Sequence, residues 1–165
     1  MRLQSLFDLY LTELRGLYDT ENQIMKALPK MIDGASSDDL RTALRDHWDQ
    51  TELHINRLEQ VFEMHAEDPK GEKSGGMEGL IKEGNHLLAS AEATVRDATL
   101  ISVAQRIEHY EIASYGCVRT YAEHLGFERA AQILQETLLE EEETDRKLTA
   151  IAKSRVNVAA ARQTG

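Results

Sequence analysis

The chain has 165 residues, 41% hydrophobic and 29% charged, with two prolines and ten glycines. That is enough for one domain to bury a core without disulfides, and too few turn residues for an all-β architecture. Its 29 acidic residues against 19 basic ones give a formal net charge of -10, which opposes nucleic-acid binding.

No apolar run reaches the roughly 18 residues of a membrane span, and the N-terminus has no signal-peptide pattern, so a cytoplasmic location without membrane attachment is expected. Cys117 is the one cysteine. With no second thiol to pair with, it is expected as a small buried residue of a helix.

The first long helix is predicted over residues 3–31, where Leu3, Phe7, Leu11, Leu14, Leu17, Ile24 and Leu28 recur at helical spacing. Pro29 should bend or end it near its last turn. Ser36 with Asp39 three residues later matches a capping box, so the second helix is expected over 38–67, with Leu40, Leu44, Trp48, Ile55, Leu58 and Phe62 as its stripe. Pro69 and the glycine-rich stretch after it make a flexible loop.

A short crossing helix is predicted over 77–89, where Gly79 and Gly84 cost helical stability. The third long helix covers 95–124 and stops at Gly126, and the fourth covers 128–153 through Leu134, Leu138, Leu148 and Ile151. The tail, 154–165, loses its periodicity and is expected to fray. Two helical hairpins joined by a long connection is the arrangement of ferritin-like bundles.

Several acidic residues fall on these apolar stripes, where an ionised carboxylate must be paired, protonated or bound to something. Glu21 lies on the first helix between Leu17 and Ile24. Glu52, with Asp49 a turn earlier, lies on the second between Trp48 and Ile55, and His47 and His54 fall near the same interior edge. Glu108 and Glu111 lie on the third, and Glu141 with Asp145 on the fourth. Two such charges about 4 Å apart repel by about 4 kcal/mol at an effective dielectric of about 20, so a cluster this dense needs protons or cations.

An oxygen-rich ligand pool of Glu21, Asp49, Glu52, Glu108, Glu111, Glu141 and Asp145 suits two iron or manganese ions better than zinc, copper or loop-bound calcium. The histidines have no ligand spacing with one another and are expected at surface or capping positions, His47 and His109 being the two to revisit.

The segments LYDTENQIMKALPKM, HWDQTELHINRLEQVFE, MEGLIKEG, AQRIEHYEIASYG and LQETLLEEEETDRKLTAIA run in order through almost the whole chain. They resemble the YciE/YciF-like stress proteins, a branch of the ferritin-like superfamily. The resemblance implies an all-α, ferritin-like up-down four-helix bundle of two hairpins, with a long crossover that contains a short extra helix.

It also implies a dinuclear metal site built from a Glu on each of two helices and a Glu-x-x-His on each of the other two. On that pattern Glu21 and Glu108 are the single glutamates. The second helix departs from it with Asp49-Gln50-Thr51-Glu52, and the fourth departs with Glu141 and Asp145 four apart and no histidine. The resemblance links the chain to stress responses and assigns no reaction.

Three functions follow as alternatives. The first is a dinuclear iron or manganese protein that reacts with oxygen or peroxide, with Tyr18, Tyr110 and Tyr115 near the ligands. The second is metal sequestration without turnover, and the third a structural helical protein whose buried acids share protons. Tyr10 and Leu53 are read as exposed apolar positions able to serve a homodimer.

Overall fold

Ser5, Ser37 and Ser74 each turn a hydroxyl onto the backbone N–H three residues further on, at 3.0, 3.4 and 3.3 Å, and each starts a helix. The computed structural model describes residues 3–162. Its elements are α1 (Leu6–Gly34), α2 (Asp38–Met64), α3 (Gly75–Ser90), α4 (Arg96–His124) and α5 (Glu128–Ile151), then a π-helical turn (Ala152–Val156) and the short α6 (Asn157–Ala161). Gly126, at a φ of +77°, makes the left-handed turn between α4 and α5, as its place after Leu125 predicts.

The long helices form an all-α bundle. α1 pairs with α2, α4 with α5, α2 packs on α5 and α1 on α4, while α3 lies across α1 and α4. Their stripes meet in two hydrophobic clusters. One gathers Ile24 and Leu28 of α1, Leu40 and Leu44 of α2, Leu100 and Ala104 of α4, and Leu148 and Ile151 of α5. The other gathers Leu11 and Leu14, Leu58 and Phe62, Tyr115 and Val118, and Ala130 and Leu134.

The order in which each helix visits the clusters gives its direction: α1 and α5 run one way, α2 and α4 the other. The crossover through α3 produces this order by returning the chain along the bundle before α4 begins. Each fully buried leucine or isoleucine is worth roughly 1.5–3 kcal/mol, so stability resides in these two ends.

Several expectations are corrected. Pro29 lies inside α1, which continues to Gly34 and buries Met31 beyond it. The cap of α2 is Ser37 rather than Ser36, because the backbone N–H groups of both serines bond Asp97 at 2.8 Å. α2 ends at Met64, before Pro69 can act.

The tail does not fray at Ser154. Val156 is buried, Arg155 pairs with Asp39 at 2.8 Å and helix runs to Ala161, while positions 163–165 lie outside the described residues. Cys117 is exposed, whereas Tyr10 is fully buried and so unavailable to a dimer face. Gly84 of α3 is a close-approach residue, since a Cβ there would sit 2.5 Å from Val103 Cγ1 of α4. No helix among the described residues is long and apolar enough to cross a membrane.

Candidate metal centre

Between the two clusters the apolar stripes break at the same height on all four long helices. The buried residues there are Thr20 and Glu21 of α1; His47, Thr51 and His54 of α2; Glu108 and Glu111 of α4; and Thr137, Glu141 and Thr144 of α5. The layer arises because each helix carries polar residues in its stripe midway along its length. Thr51 and Thr144 satisfy their hydroxyls on the backbone carbonyls of His47 and Glu140, at 2.9 and 3.1 Å, which lets them stay in the interior.

Of the seven expected ligands, the structure brings Glu21, Glu108, Glu111 and Glu141 together and leaves three outside. Asp49 and Glu52 are exposed on α2, so the expectation that they turn inward is corrected. The inward stripe of α2 alternates by three and four through Leu40, Leu44, His47, Thr51, Leu58 and Phe62, with His54 between Thr51 and Leu58.

Trp48, 36% exposed, is a large apolar residue lying one position off that stripe. A one-residue error turns a helix face by about 100°. Leu44 and Leu58 are fourteen residues apart, and steps alternating between three and four that join them pass through His47, Thr51 and His54. Asp145 lies at the α4–α5 flank, where Gln105 donates to it at 3.0 Å and His109 stands at 3.4 Å.

The six titratable side chains are at most 2% exposed. Ligand atoms of His47, Glu108, Glu111 and Glu141 lie within 4.8 Å of one another, and so do those of Glu21, His54 and Glu141. Glu141 belongs to both groups. Its Oε1 is 2.9 Å from His54 Nδ1, and its Oε2 is 4.0 Å from His47 Nδ1. His47 Nε2 stands 3.3 Å from Glu108 Oε1, and His54 Nδ1 stands 3.4 Å from Glu21 Oε1.

None of these contacts is aligned as a hydrogen bond. Both nitrogens of His47, Nδ1 of His54, both oxygens of Glu111 and Glu141, Glu21 Oε2 and Glu108 Oε2 are buried without a hydrogen-bond partner. A buried polar atom left unsatisfied costs about 1–3 kcal/mol. Buried carboxylate oxygens and imidazole nitrogens left without hydrogen-bond partners in two such groups could hold a metal ion, and their donor chemistry fits one.

Charge is apportioned unevenly. Burial, reinforced by the charges of Glu141 and Glu21, pushes the Glu108 carboxyl well up, and burial with the same two charges does so for Glu111. Burial opposes ionisation of Glu141 too, but His54 and His47 overcome it and pull that carboxyl down. Burial lowers His47. It also works against His54, where the charge of Glu21 and the contacts with Glu140 and Glu141 win and carry the imidazole up to about 12. Without metal, these shifts favour the protonated forms of Glu108, Glu111 and His54 and the ionised form of Glu141.

Surrounding groups fix the ligands. Tyr115 donates its hydroxyl to Glu21 Oε1 at 2.5 Å, so of the three tyrosines considered this is the one bonded to a centre residue. Tyr18 donates to Glu59, and Tyr110 meets Ser74. His54, expected at the surface, instead holds Glu140 Oε2 at 2.8 Å through Nε2.

A profile described as a domain of unknown function, DUF892, matches residues 5–161. The chain belongs to that family. It is 43% identical to protein YciF of Escherichia coli strain K12 over 159 residues, 95% of this chain and 96% of that protein. The crystal structure of the E. coli stress protein YciF superposes with a TM-score of 0.89 at 41% identity, over 94% of this chain and 99% of that one.

YcfI of Rhodopseudomonas palustris gives a TM-score of 0.86 at 41% identity, over 88% of this chain and 94% of that chain. A Xanthomonas campestris protein at 17% identity shares the fold, with a TM-score of 0.74 over 96% of this chain and 97% of that one. This DUF892 member is thus YciF-like along nearly its whole length.

Proposed function

We propose that the polar layer holds two divalent transition-metal ions, iron or manganese, with Glu141 shared between them. His47, Glu108 and Glu111 would complete one set of donors, Glu21 and His54 the other. The carrying observation is that one buried carboxylate belongs to both donor groups while nearly every neighbouring ligand atom lacks a hydrogen-bond partner. Four carboxylates and two imidazoles form a hard-to-borderline set that suits iron and manganese.

Such a pair, when bound, supplies electrons for reduction of dioxygen or peroxide. The chain's own residues orient the donors, through Tyr115 on Glu21 and Glu140 on His54, and keep bulk water out of a layer walled by leucines at both ends. The E. coli relative is described as a stress protein, and we extend that role to this chain as defence against an oxidant. Deep burial of all six residues favours a second reading, metal sequestration without turnover.

The test is metal content per chain by elemental mass spectrometry after anaerobic loading, for wild type and for a Glu108→Ala, Glu141→Ala double variant. About two ions per wild-type chain, lost in the double variant, support the centre. No stoichiometric metal in the wild type sinks it and leaves a structural helical protein. Peroxide consumption by the loaded protein then separates turnover from sequestration.

A further inference from the structure

The two imidazoles of the centre are held differently. His47 has no hydrogen-bond partner on either ring nitrogen. His54 presents Nε2 to Glu140 Oε2 at 2.8 Å, away from the layer, and Nδ1 to Glu141 and Glu21 within it. Glu140 is itself clamped. Arg57, one turn after His54 on α2, donates Nη1 to its Oε2 at 2.6 Å and Nη2 to its Oε1 at 2.9 Å, and a third bond ties Arg57 to Thr137 Oγ1 at 3.3 Å. Glu140 therefore stands on the outer flank of α5, next in sequence to the shared ligand Glu141, and reaches across to a histidine of the facing helix.

We propose that Glu140, locked by Arg57, is a positioning residue that commits His54 to bind metal through Nδ1. The inference rests on the metal reading above. The torsion that turns an imidazole about its own axis is soft and nearly two-fold, so burial alone does not decide which ring edge faces the centre. An ionised carboxylate only accepts hydrogen bonds and requires an N–H opposite it. Placed at Nε2, it leaves the Nδ1 lone pair as the donor and makes the ring more basic toward a cation.

The two-pronged Arg57 bond holds the carboxylate in one plane and balances its charge, so orientation is gained without further negative charge beside the layer. His47 has no such outer partner. The donor group containing His54 is pre-set, and the group containing His47 sets its ring only on binding.

The experiment is zinc titration, with zinc as a diamagnetic probe, of wild type, Glu140→Leu and Glu140→Gln, with ¹⁵N NMR of the histidines. In zinc-loaded wild type, His54 is expected to show a metal-bound Nδ1 and a protonated Nε2. Glu140→Leu should weaken one of two zinc equivalents by about ten- to a hundredfold, and Glu140→Gln, whose side-chain oxygen can still accept, should restore most of that loss.

Two bound zinc ions with His54 joined through Nε2, or with equal affinity in wild type and Glu140→Leu, would overturn the positioning role and leave the metal centre standing. A wild type that takes up neither zinc, iron nor manganese would overturn both. The wild-type NMR signature decides the matter even if the leucine variant does not fold.

Discussion

Glu141 of α5 places one carboxylate oxygen 2.9 Å from His54 Nδ1 and the other 4.0 Å from His47 Nδ1, so a single side chain spans two imidazoles seven residues apart on α2. Removing it strips a donor from both groups, while removing Glu21 strips one. Glu141→Ala is expected to bring metal content to near zero and Glu21→Ala to leave about one ion per chain. Equal losses in the two variants, read by elemental mass spectrometry, would contradict a shared ligand.

Glu111 keeps both oxygens buried without a hydrogen-bond partner. A site residue of this kind costs the metal-free fold about 1–3 kcal/mol, and an apolar replacement of similar size relieves that cost. Glu111→Leu should therefore raise the melting temperature of the metal-free protein by several degrees, at about 2–4 °C per kcal/mol for a chain of this size, while weakening metal uptake. Calorimetry that found the variant less stable without metal would point to an unrecognised partner for Glu111.

Protons and cations compete for the layer. Burial and neighbouring carboxylates raise Glu108 and Glu111 above their ordinary range, so each holds its proton more tightly against a metal ion. Loading in weak buffer should acidify the solution, and affinity should rise with pH. In the metal-free protein these raised carboxyls make stability fall as pH climbs above the unfolded value of about 4.3.

Glu140 works the other way. Its hydrogen bond to His54, with help from Arg57, takes the carboxyl down to about 2. Its stabilisation is present above about pH 4.3 and is lost as pH falls toward 2. His54, raised to about 12, contributes fully below its unfolded value of about 6.5 and loses that contribution progressively as pH climbs from there to about 12. Thermal melts from about pH 5 to 2.5 should show a shallower loss in Glu140→Gln than in wild type.

Asp49 and Glu52 provide a control, since both are exposed on α2. An Asp49→Ala, Glu52→Ala double variant should keep its full metal complement, with stability changed by no more than about 0.5 kcal/mol. Loss of metal in that variant would mean that α2 turns a different face inward.

The glycines separate two roles. A Cβ added to Gly16 meets nothing within 4 Å, so Gly16→Ala should stabilise α1 by up to about 1 kcal/mol. A Cβ on Gly84 would lie 2.5 Å from Val103 Cγ1, so Gly84→Ala should destabilise by about 1–3 kcal/mol as α3 is pushed off α4. Urea melts of the two variants check both signs.

The sequence by itself determined the helices and their order, because apolar residues at three- and four-residue spacing and the Gly126 stop act within a few residues of one another. It also determined that Glu21, Glu108, Glu111 and Glu141 turn inward, since each lies between apolar neighbours whose burial admits one helix phase.

Tertiary structure alone decided what α2 contributes. Trp48 and His47 are adjacent, and hydrophobicity ranks the tryptophan inside; packing against α4 and α5 instead buries the imidazole beside Glu108 and Glu141. The sharing of Glu141 and the reach of Glu140 to His54 are likewise contacts between helices more than 80 residues apart, with α2 facing α5. No spacing within one helix encodes a distance across a bundle.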